Sequence, residues 1–366
     1  MLKRLHLKNF TVFADADFEF GPGLNVLVGT NGTGKSHVLK VGYAVAQTVA
    51  GAVQRRHAKP DEITSQGLSF FDVVGLSIRL SNIFLAGTQN KLVRNSIIKQ
   101  DAQVETSLGQ TGDTKLAFSI EYSESPSNKM GEASFVMGEE YVAVATTPVF
   151  IQAKEILSLM PDIVGISAQN PDVFDSTYTD LATQLTIRAP KEPPMFAKPI
   201  LDAWAALMRG TILSEDGRFY FQPATGARFR VGLAAEGFRK LGTLAHLLAN
   251  GSLTKNATLF WDEPETNLNS ALLRELAKAL AELASQGFQI ILATHSMSLL
   301  KEFHILSREL DKEKLPIKYF GLNAEPGQPT TVVTRDDFKY LPDVVALEAE
   351  LDQADDLEEI FARESR

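Results

Sequence analysis

Gly23-Leu24-Asn25-Val26-Leu27-Val28-Gly29-Thr30-Asn31-Gly32-Thr33-Gly34-Lys35-Ser36 passes from a short apolar run straight into a glycine-rich loop that ends in Lys-Ser. The run has the character of a strand buried on both faces. Glycine accepts positive φ, so a loop with glycine at 29, 32 and 34 can turn several backbone N–H groups toward one anion. Lys35 then stands where an ammonium can pair with the β and γ phosphates of a nucleotide, and the Ser36 hydroxyl where it can ligate magnesium. From Ser36 to Ala50, apolar residues recur at Val38, Leu39, Val41, Val45, Ala46 and Val49, a helical spacing. Strand, glycine loop and helix are the context of a phosphate-binding P-loop. Its candidate binding residues are Gly29, Thr30, Asn31, Gly32, Thr33, Gly34, Lys35, Ser36 and His37, with ATP and Mg2+ the expected ligands.

Outward from this loop, Asp262-Glu263 closes the strand-like run Thr258-Leu259-Phe260-Trp261, which would carry both carboxylates to the strand-end edge where the phosphate loop lies. Asp262 is the expected magnesium partner, and Glu263 the expected base that orients the attacking water. An acidic solvated turn with Pro264 and Glu265 is the plainer alternative. His295, in Thr294-His295-Ser296, follows the run Ile290-Ile291-Leu292-Ala293 and would come within reach of the γ-phosphate. Lys35, Glu263 and His295 form the expected catalytic set.

The remaining sequence divides by pattern. Residues 1–54 open with alternating runs Leu5 to Phe10 and Phe18 to Phe20, a hairpin, and form the first part of a nucleotide domain. Residues 55–150 carry strand-like stretches at Leu76 to Leu80, Leu116 to Tyr122 and Tyr141 to Ala145, separated by polar loops at Gly87 to Asn95 and Gly109 to Thr114, which predicts an antiparallel β subdomain with mobile loops. Residues 151–210 have helical patterns at Lys154 to Met160, Val173 to Leu185 and Ile200 to Met208, a helical lobe. Residues 211–335 return to α/β: a hairpin around Phe219-Tyr220-Phe221, a helix to Ala249, the Asp262 strand, a helix from Ser270 to Ser285 and the strand before His295. Residues 336–366 are an acidic tail, with eleven acidic against three basic side chains. The net charge of −9 over 366 residues therefore leaves the rest of the chain at about −1, which neither demands nor forbids a nucleic-acid partner. The tail reads as a solvated terminal helix or as a docking segment for a basic surface. Absence of cysteine excludes disulfides and thiolate chemistry. With no eighteen-residue apolar run and no basic-then-apolar leader, the sequence predicts a cytoplasmic protein with no membrane partner.

Together, Leu7-Lys8-Asn9-Phe10, the loop at 23–36, Asp262-Glu263-Pro264-Glu265-Thr266-Asn267-Leu268 and Ala293-Thr294-His295-Ser296 resemble ABC-type ATPases of the RecF, SMC and OLD group, most of all compact members without a coiled coil. The resemblance implies an α/β fold: a P-loop NTPase head with a mixed central sheet, an antiparallel β subdomain and a helical lobe. It implies two heads that sandwich two ATP molecules, each P-loop facing a signature segment of a second copy of the chain. Asn9 would then belong to the nucleotide site and Asn267 to the D-loop at the interface. The segment Ala234-Ala235-Glu236-Gly237-Phe238-Arg239-Lys240 occupies the signature position and opens a helix. With Gly237 aligned to the family's glycine, Ala235 stands where a serine is usual, and Arg239 or Lys240 is the candidate substitute; an ordinary helix start with a basic turn is the alternative. Gln152 is the candidate for the glutamine that senses magnesium between strand and helical lobe, with Lys154 and Glu155 as competing side chains.

The resemblance implies an ATPase that acts as a sensor or motor subunit, with bacterial anti-phage defence and a separately encoded effector as the first expectation. A RecF-like DNA-repair ATPase is the near neighbour, and the energy subunit of a membrane transporter is a more distant reading, because neither a serine-containing signature nor an adenine-stacking aromatic precedes the expected positions. An ATP-dependent scaffold with little turnover is a third.

Overall fold

The computed structural model describes residues 1–58, 70–95, 99–109, 111–138, 146–170, 172–309, 315–341, 356–358, 360–361 and 363. Their strands are β1 Leu2–Phe10, β2 Phe13–Glu19, β3 Leu24–Gly29, β4 Ala102–Leu108, β5 Thr114–Ile120, β6 Met130–Val136, β7 Val149–Ile151, β8 Gly210–Glu215, β9 Arg218–Pro223, β10 Phe229–Arg230, β11 Thr258–Asp262, β12 Gln289–Thr294, β13 Ile317–Asn323 and β14 Thr331–Arg335. The α-helices are α1 Lys35–Ala58, α2 Phe70–Phe84, α3 Met160–Gln169, α4 Ser176–Leu185, α5 Lys198–Met208, α6 Glu236–Ala249, α7 Ser270–Ser285 and α8 Met297–Glu309.

A six-stranded sheet of order β14-β13-β3-β12-β11-β7 organises the molecule, parallel throughout except for β14, which pairs antiparallel with β13. All six residues of β3 and of β12 are buried, as strands covered on both faces must be. One face, through Leu24, Val26, Leu259, Trp261 and Leu292, packs on α3 to α8. The other, through Leu27, Phe260, Ile291 and Phe320, packs on α1, which is itself covered by an antiparallel sheet of order β2-β1-β4-β5-β6. The P-loop helix thus lies between two sheets, held there by Val38, Leu39, Val41, Tyr43, Val45 and Val49. Since β7, β11, β12, β3 and β13 run parallel, their carboxyl ends share one edge, and the segments that follow them converge there.

Several expectations need correction. The antiparallel layer is not confined to 55–150, because β1 and β2 form one sheet with β4 to β6. α1 runs to Ala58, past the expected boundary at 54. Leu76 to Leu80 is helical, within α2, with Leu76, Leu80 and Ile83 fully buried and Ile78 55% exposed. That is an i, i+4, i+7 stripe, which a period-two reading of five residues mistakes for a strand. Lys154 to Leu159 forms no helix; the first helix of the lobe begins at Met160, with Pro161 in its first turn. Tyr141 to Ala145 lies outside the described residues. The hairpin expected around Phe219 is β8 and β9, joined by Asp216-Gly217, both at positive φ.

Candidate nucleotide site

Between the end of β3 at Gly29 and the start of α1 at Lys35, the loop takes positive φ at Gly32 (84°) and Gly34 (91°). A Cβ on Gly34 would come within 2.6 Å of Val12 and 2.7 Å of Phe13, so the loop sits on the β1–β2 turn with no room for a side chain. The Lys35 ammonium lies inside the loop, donating to the Gly29 and Thr30 carbonyls at 2.8 Å each. Burial lowers its pKa, and Asp262, Glu263 and Glu265 pull the other way. The Thr33 hydroxyl donates to Thr30 O at 2.9 Å and holds the loop's curl.

Two strands over from β3, Asp262 ends β11 with its carboxyl beside the Ser36 hydroxyl. Its carboxyl pKa is raised, first by burial, while Ser36, Lys40 and Lys35 act to lower it. A half-desolvated carboxylate beside a hydroxyl, under-compensated by the cations nearby, suits a divalent cation. Glu263 follows at φ 46°, a strained left-handed position, with its N–H donating to Ala293 O at 2.9 Å. Its carboxylate lies 3.5 Å from His295 Nδ1 and 3.4 Å from the Thr266 hydroxyl. The His295 side chain is 48% exposed and Glu263's is 29% exposed, so both reach toward the open edge.

β7 pairs with β11 so that Ile151 is level with Trp261, which brings Gln152 beside Asp262. Gln152 is buried; its amide donates to the Thr177 hydroxyl at 2.8 Å, and its Oε1 is buried without a partner among the described residues. That orphaned acceptor also fits a cation at Ser36 and Asp262. Lys35, Ser36, Gln152, Asp262, Glu263 and His295, expected together from the sequence, therefore all sit at one edge of the sheet.

The other predicted residues are used differently. Asn9, at φ 53°, donates from Nδ2 to the Gln100 and Asp101 carbonyls and so holds the entry to β4. The His37 ring packs edge-on against Phe84 of α2 at 5.5 Å, and its Nδ1 is buried without a partner among the described residues. Ala235 caps α6 with its carbonyl alone, accepting from Phe238 and Arg239 N–H, and offers no side-chain acceptor. Glu236 accepts from Asn267 Nδ2 at 2.7 Å, and Asn267 itself is at φ 63°. Gly237 is required by packing: a Cβ there would meet Leu272 at 2.8 Å and the Asn267 carbonyl at 3.3 Å. Neither cation of this segment is spare. Arg239 donates through Nε to Glu155 at 2.6 Å and through Nη1 to Ala234 O at 2.6 Å. Lys240, only 2% exposed, donates to Glu263 O at 2.9 Å and Thr266 O at 3.1 Å, and burial lowers its pKa to about 8. Both cations, the candidate substitutes for the missing serine, are engaged within their own chain. Glu155, a competitor of Gln152 in the sequence reading, is the partner of Arg239 and of Ser158.

Two contributors escaped the sequence reading. Glu265 accepts from the Thr294 hydroxyl at 2.5 Å and from His295 N–H at 3.3 Å, fixing the histidine segment to the Asp-Glu turn. Lys240 fixes the underside of that turn. Its signal is present in the sequence, since it shares a helical face with Leu244, Leu247 and Leu248, and a lysine on an apolar stripe marks a buried cation.

Residues 121–301 match a family model described as "AAA domain, putative AbiEii toxin, Type IV TA system", and residues 4–41 match one described as "AAA domain". The chain is 30% identical over 139 residues to the macrolide export ATP-binding/permease protein MacB of Bdellovibrio bacteriovorus, covering 36% of this chain and 21% of that one. It is 45% identical over 47 residues to the DNA replication and repair protein RecF of Streptococcus uberis, 13% of each chain. The chain thus spans about a fifth and about an eighth of the length of these two relatives. Among solved structures, the Smc head domain from Pyrococcus furiosus, bound there to the C-terminal domain of ScpA, superposes with a TM-score of 0.51 at 14% identity, covering 98% of this chain and 99% of that one. The fold is that of an SMC-head-like P-loop ATPase, and the matches support an ABC-type ATPase of the RecF and SMC group. Among the described residues no helix is long and apolar enough to cross a membrane.

Proposed function

We propose that the chain binds ATP with Mg2+ through the 29–37 loop and hydrolyses it at the edge formed by Ser36, Gln152, Asp262, Glu263 and His295. The carrying observation is that Ser36 beside Asp262 and the Glu263–His295 pair meet at the end of the P-loop sheet. Ser36 and the Gln152 carbonyl would hold Mg2+ directly and Asp262 through water. The ion would neutralise charge on the phosphate oxygens. Glu263 accepts a proton from water as the water oxygen attacks the γ-phosphorus. The bond from that phosphorus to the β–γ bridging oxygen breaks, and ADP leaves with the electron pair. Lys35 faces the charge that grows on the leaving side, and His295 hydrogen-bonds the γ-phosphate oxygens.

Full activity requires a second copy, whose 234–240 helix start and Asn267 close the site. Support for this comes from α6 and the D-loop being locked together by Glu236–Asn267 and Lys240, which makes them one rigid surface. At the helix start only backbone N–H groups and the dipole serve the phosphate, since Ala235 supplies no hydroxyl. In the cell the chain acts in the cytoplasm as the ATP-driven sensor of an anti-phage defence pair, controlling a separately encoded nuclease or toxin. The toxin–antitoxin wording of the family model supports this role. The RecF match favours a second reading, a DNA-stimulated repair ATPase. Turnover is measured with the purified chain alone, with duplex DNA and with the product of the adjacent gene. Stimulation by the neighbour supports effector control, stimulation by DNA alone supports the repair reading, and no turnover under any condition contradicts both.

A further inference from the structure

Gln152 has two polar ends with different fates: Nε2 is hydrogen-bonded at 2.8 Å, and Oε1 is buried with no partner among the described residues. What fixes that choice is a chain of side chains away from the loop. The Thr177 hydroxyl lies within hydrogen-bond distance of Asp175 Oδ1, and a carboxylate can only accept, so the hydroxyl proton goes to Asp175. The Thr177 oxygen is then left to accept, and the Gln152 end facing it must be the NH2 group. Asp175 cannot swing away, because Oδ1 also accepts from Thr177 N–H at 2.9 Å and Oδ2 receives the Lys40 ammonium at 2.9 Å. Lys40 projects from α1, one helical turn after Ser36, and is pinned by Ile83 O at 2.9 Å as well. A second tie repeats the connection: Tyr43 on α1 and Arg79 on α2 both donate to Asp180 of α4, at 2.8 and 2.7 Å. Gln184, one turn further along, donates to Pro148 O just before β7. α4 is thereby fastened at one end to the P-loop helix and at the other to the strand that carries Gln152.

We propose that Thr177 is a positioning residue for the magnesium site: the relay Lys40–Asp175–Thr177 imposes the amide orientation that turns the Gln152 carbonyl toward the cation beside Ser36 and Asp262. The inference rests on the proposed ATP–Mg2+ reading of that edge. It assigns α4 the task of transmitting the position of the P-loop helix to Gln152, so that displacing α4 withdraws one metal ligand without touching the phosphate loop.

The test uses the full chain with ADP and Mn2+ as the probe ion, read by electron paramagnetic resonance, alongside steady-state turnover. Thr177→Val removes the hydroxyl at nearly constant volume. Roughly 10-fold weaker Mn2+ binding in the nucleotide complex is expected. ADP affinity without metal should stay unchanged, kcat should fall at nearly constant KM, and Thr177→Ser should restore both. In a Gln152→Ala background the valine substitution should add nothing. If Thr177→Val proves unfolded by its thermal melt, Lys40→Met tests the same relay from its other end, with the same expected loss. Unchanged Mn2+ affinity in folded Thr177→Val, or an equal loss with and without Gln152, overturns the inference while leaving the ATPase reading intact. A wild-type chain that binds neither ADP nor ATP overturns both.

Discussion

Replacing Lys240 by methionine separates the two jobs a buried cation can have. Lys240 Nζ is the donor to the Glu263 and Thr266 carbonyls, so the variant leaves two part-buried acceptors of the turn without that donor. An unmet buried acceptor costs about 1–3 kcal/mol. Against this, the ammonium is expensive to bury: lowering its pKa from 10.5 to about 8 corresponds to about 3 kcal/mol against the charged form. The two nearly cancel, and the expected loss of stability is about 1 kcal/mol, much less than for breaking an ordinary core contact. Turnover should respond more. Glu263 is held at φ 46°, a conformation that costs about 1–3 kcal/mol and persists only while its surroundings impose it. Freed of its clamp, the turn relaxes, and kcat should fall about 10-fold or more with ATP affinity retained.

The same residue sets a pH dependence. Its folded pKa lies below its unfolded one, so between about pH 8 and 10.5 the unfolded chain binds more protons, and stability from this group rises with pH across that window. Burial raises the pKa of Tyr43 and Tyr319, which act in the opposite sense above pH 10. The comparison is therefore made from pH 7.5 to 9.5 by urea unfolding, wild type against Lys240→Met. The wild type should gain stability relative to the variant as pH rises. A variant with unchanged kcat and a several-kcal/mol loss of stability at every pH would refute the reasoning.

Other expectations are more direct. Arg239→Ala leaves the Glu155 carboxylate, 2% exposed, without its cation, and should cost about 3 kcal/mol in denaturant unfolding; Arg239 as an interface residue would instead show normal stability with weakened assembly. Gly34→Ala meets both a φ of 91° and the Val12 and Phe13 side chains, so nucleotide binding by calorimetry should be lost with a drop of about 1–3 kcal/mol in stability. Lys35→Ala should abolish ATP binding while melting close to wild type, because among the described residues its ammonium bonds only to the Gly29 and Thr30 carbonyls of the loop. Glu265→Gln should keep ATP binding and reduce turnover, since the Thr294 and His295 segment loses its charged anchor; normal turnover would show that His295 needs no such support.

How much of this was legible in the sequence varies with the source of the signal. Strand β3, its loop and α1 were readable because glycine, lysine and an apolar run each carry local information, and Asp262-Glu263 and Thr294-His295 were readable because each follows a short apolar run within its strand. α2 was not, since Leu76-Ser77-Ile78-Arg79-Leu80 fits a strand over five residues and a helix only when Ile83 is included, and the exposure of Ile78 decides between them. The extent of the antiparallel sheet was hidden because β1 pairs with β4 across an intervening helix pair, a long-range pairing no local pattern encodes. The intrachain roles of Arg239 and Lys240 were not legible because their partners, Glu155, Glu263 and Thr266, are 23 or more residues away. Thr177 carried no signal of its own within the helical pattern from Val173 to Leu185; it lies in the first turn after the cap Asp175, and its bond to Gln152 exists only in the folded chain.

The central claim, a hydrolytic ATP site at the sheet edge shared by Lys35, Asp262 and Glu263, is tested most directly by Glu263→Gln. Phosphate release and light scattering would be followed together after adding ATP and Mg2+. The account predicts turnover reduced at least about 100-fold, with ATP retained on the protein and a stable dimer or larger assembly that dissolves when Lys35→Ala is added. Wild-type turnover in Glu263→Gln would contradict it.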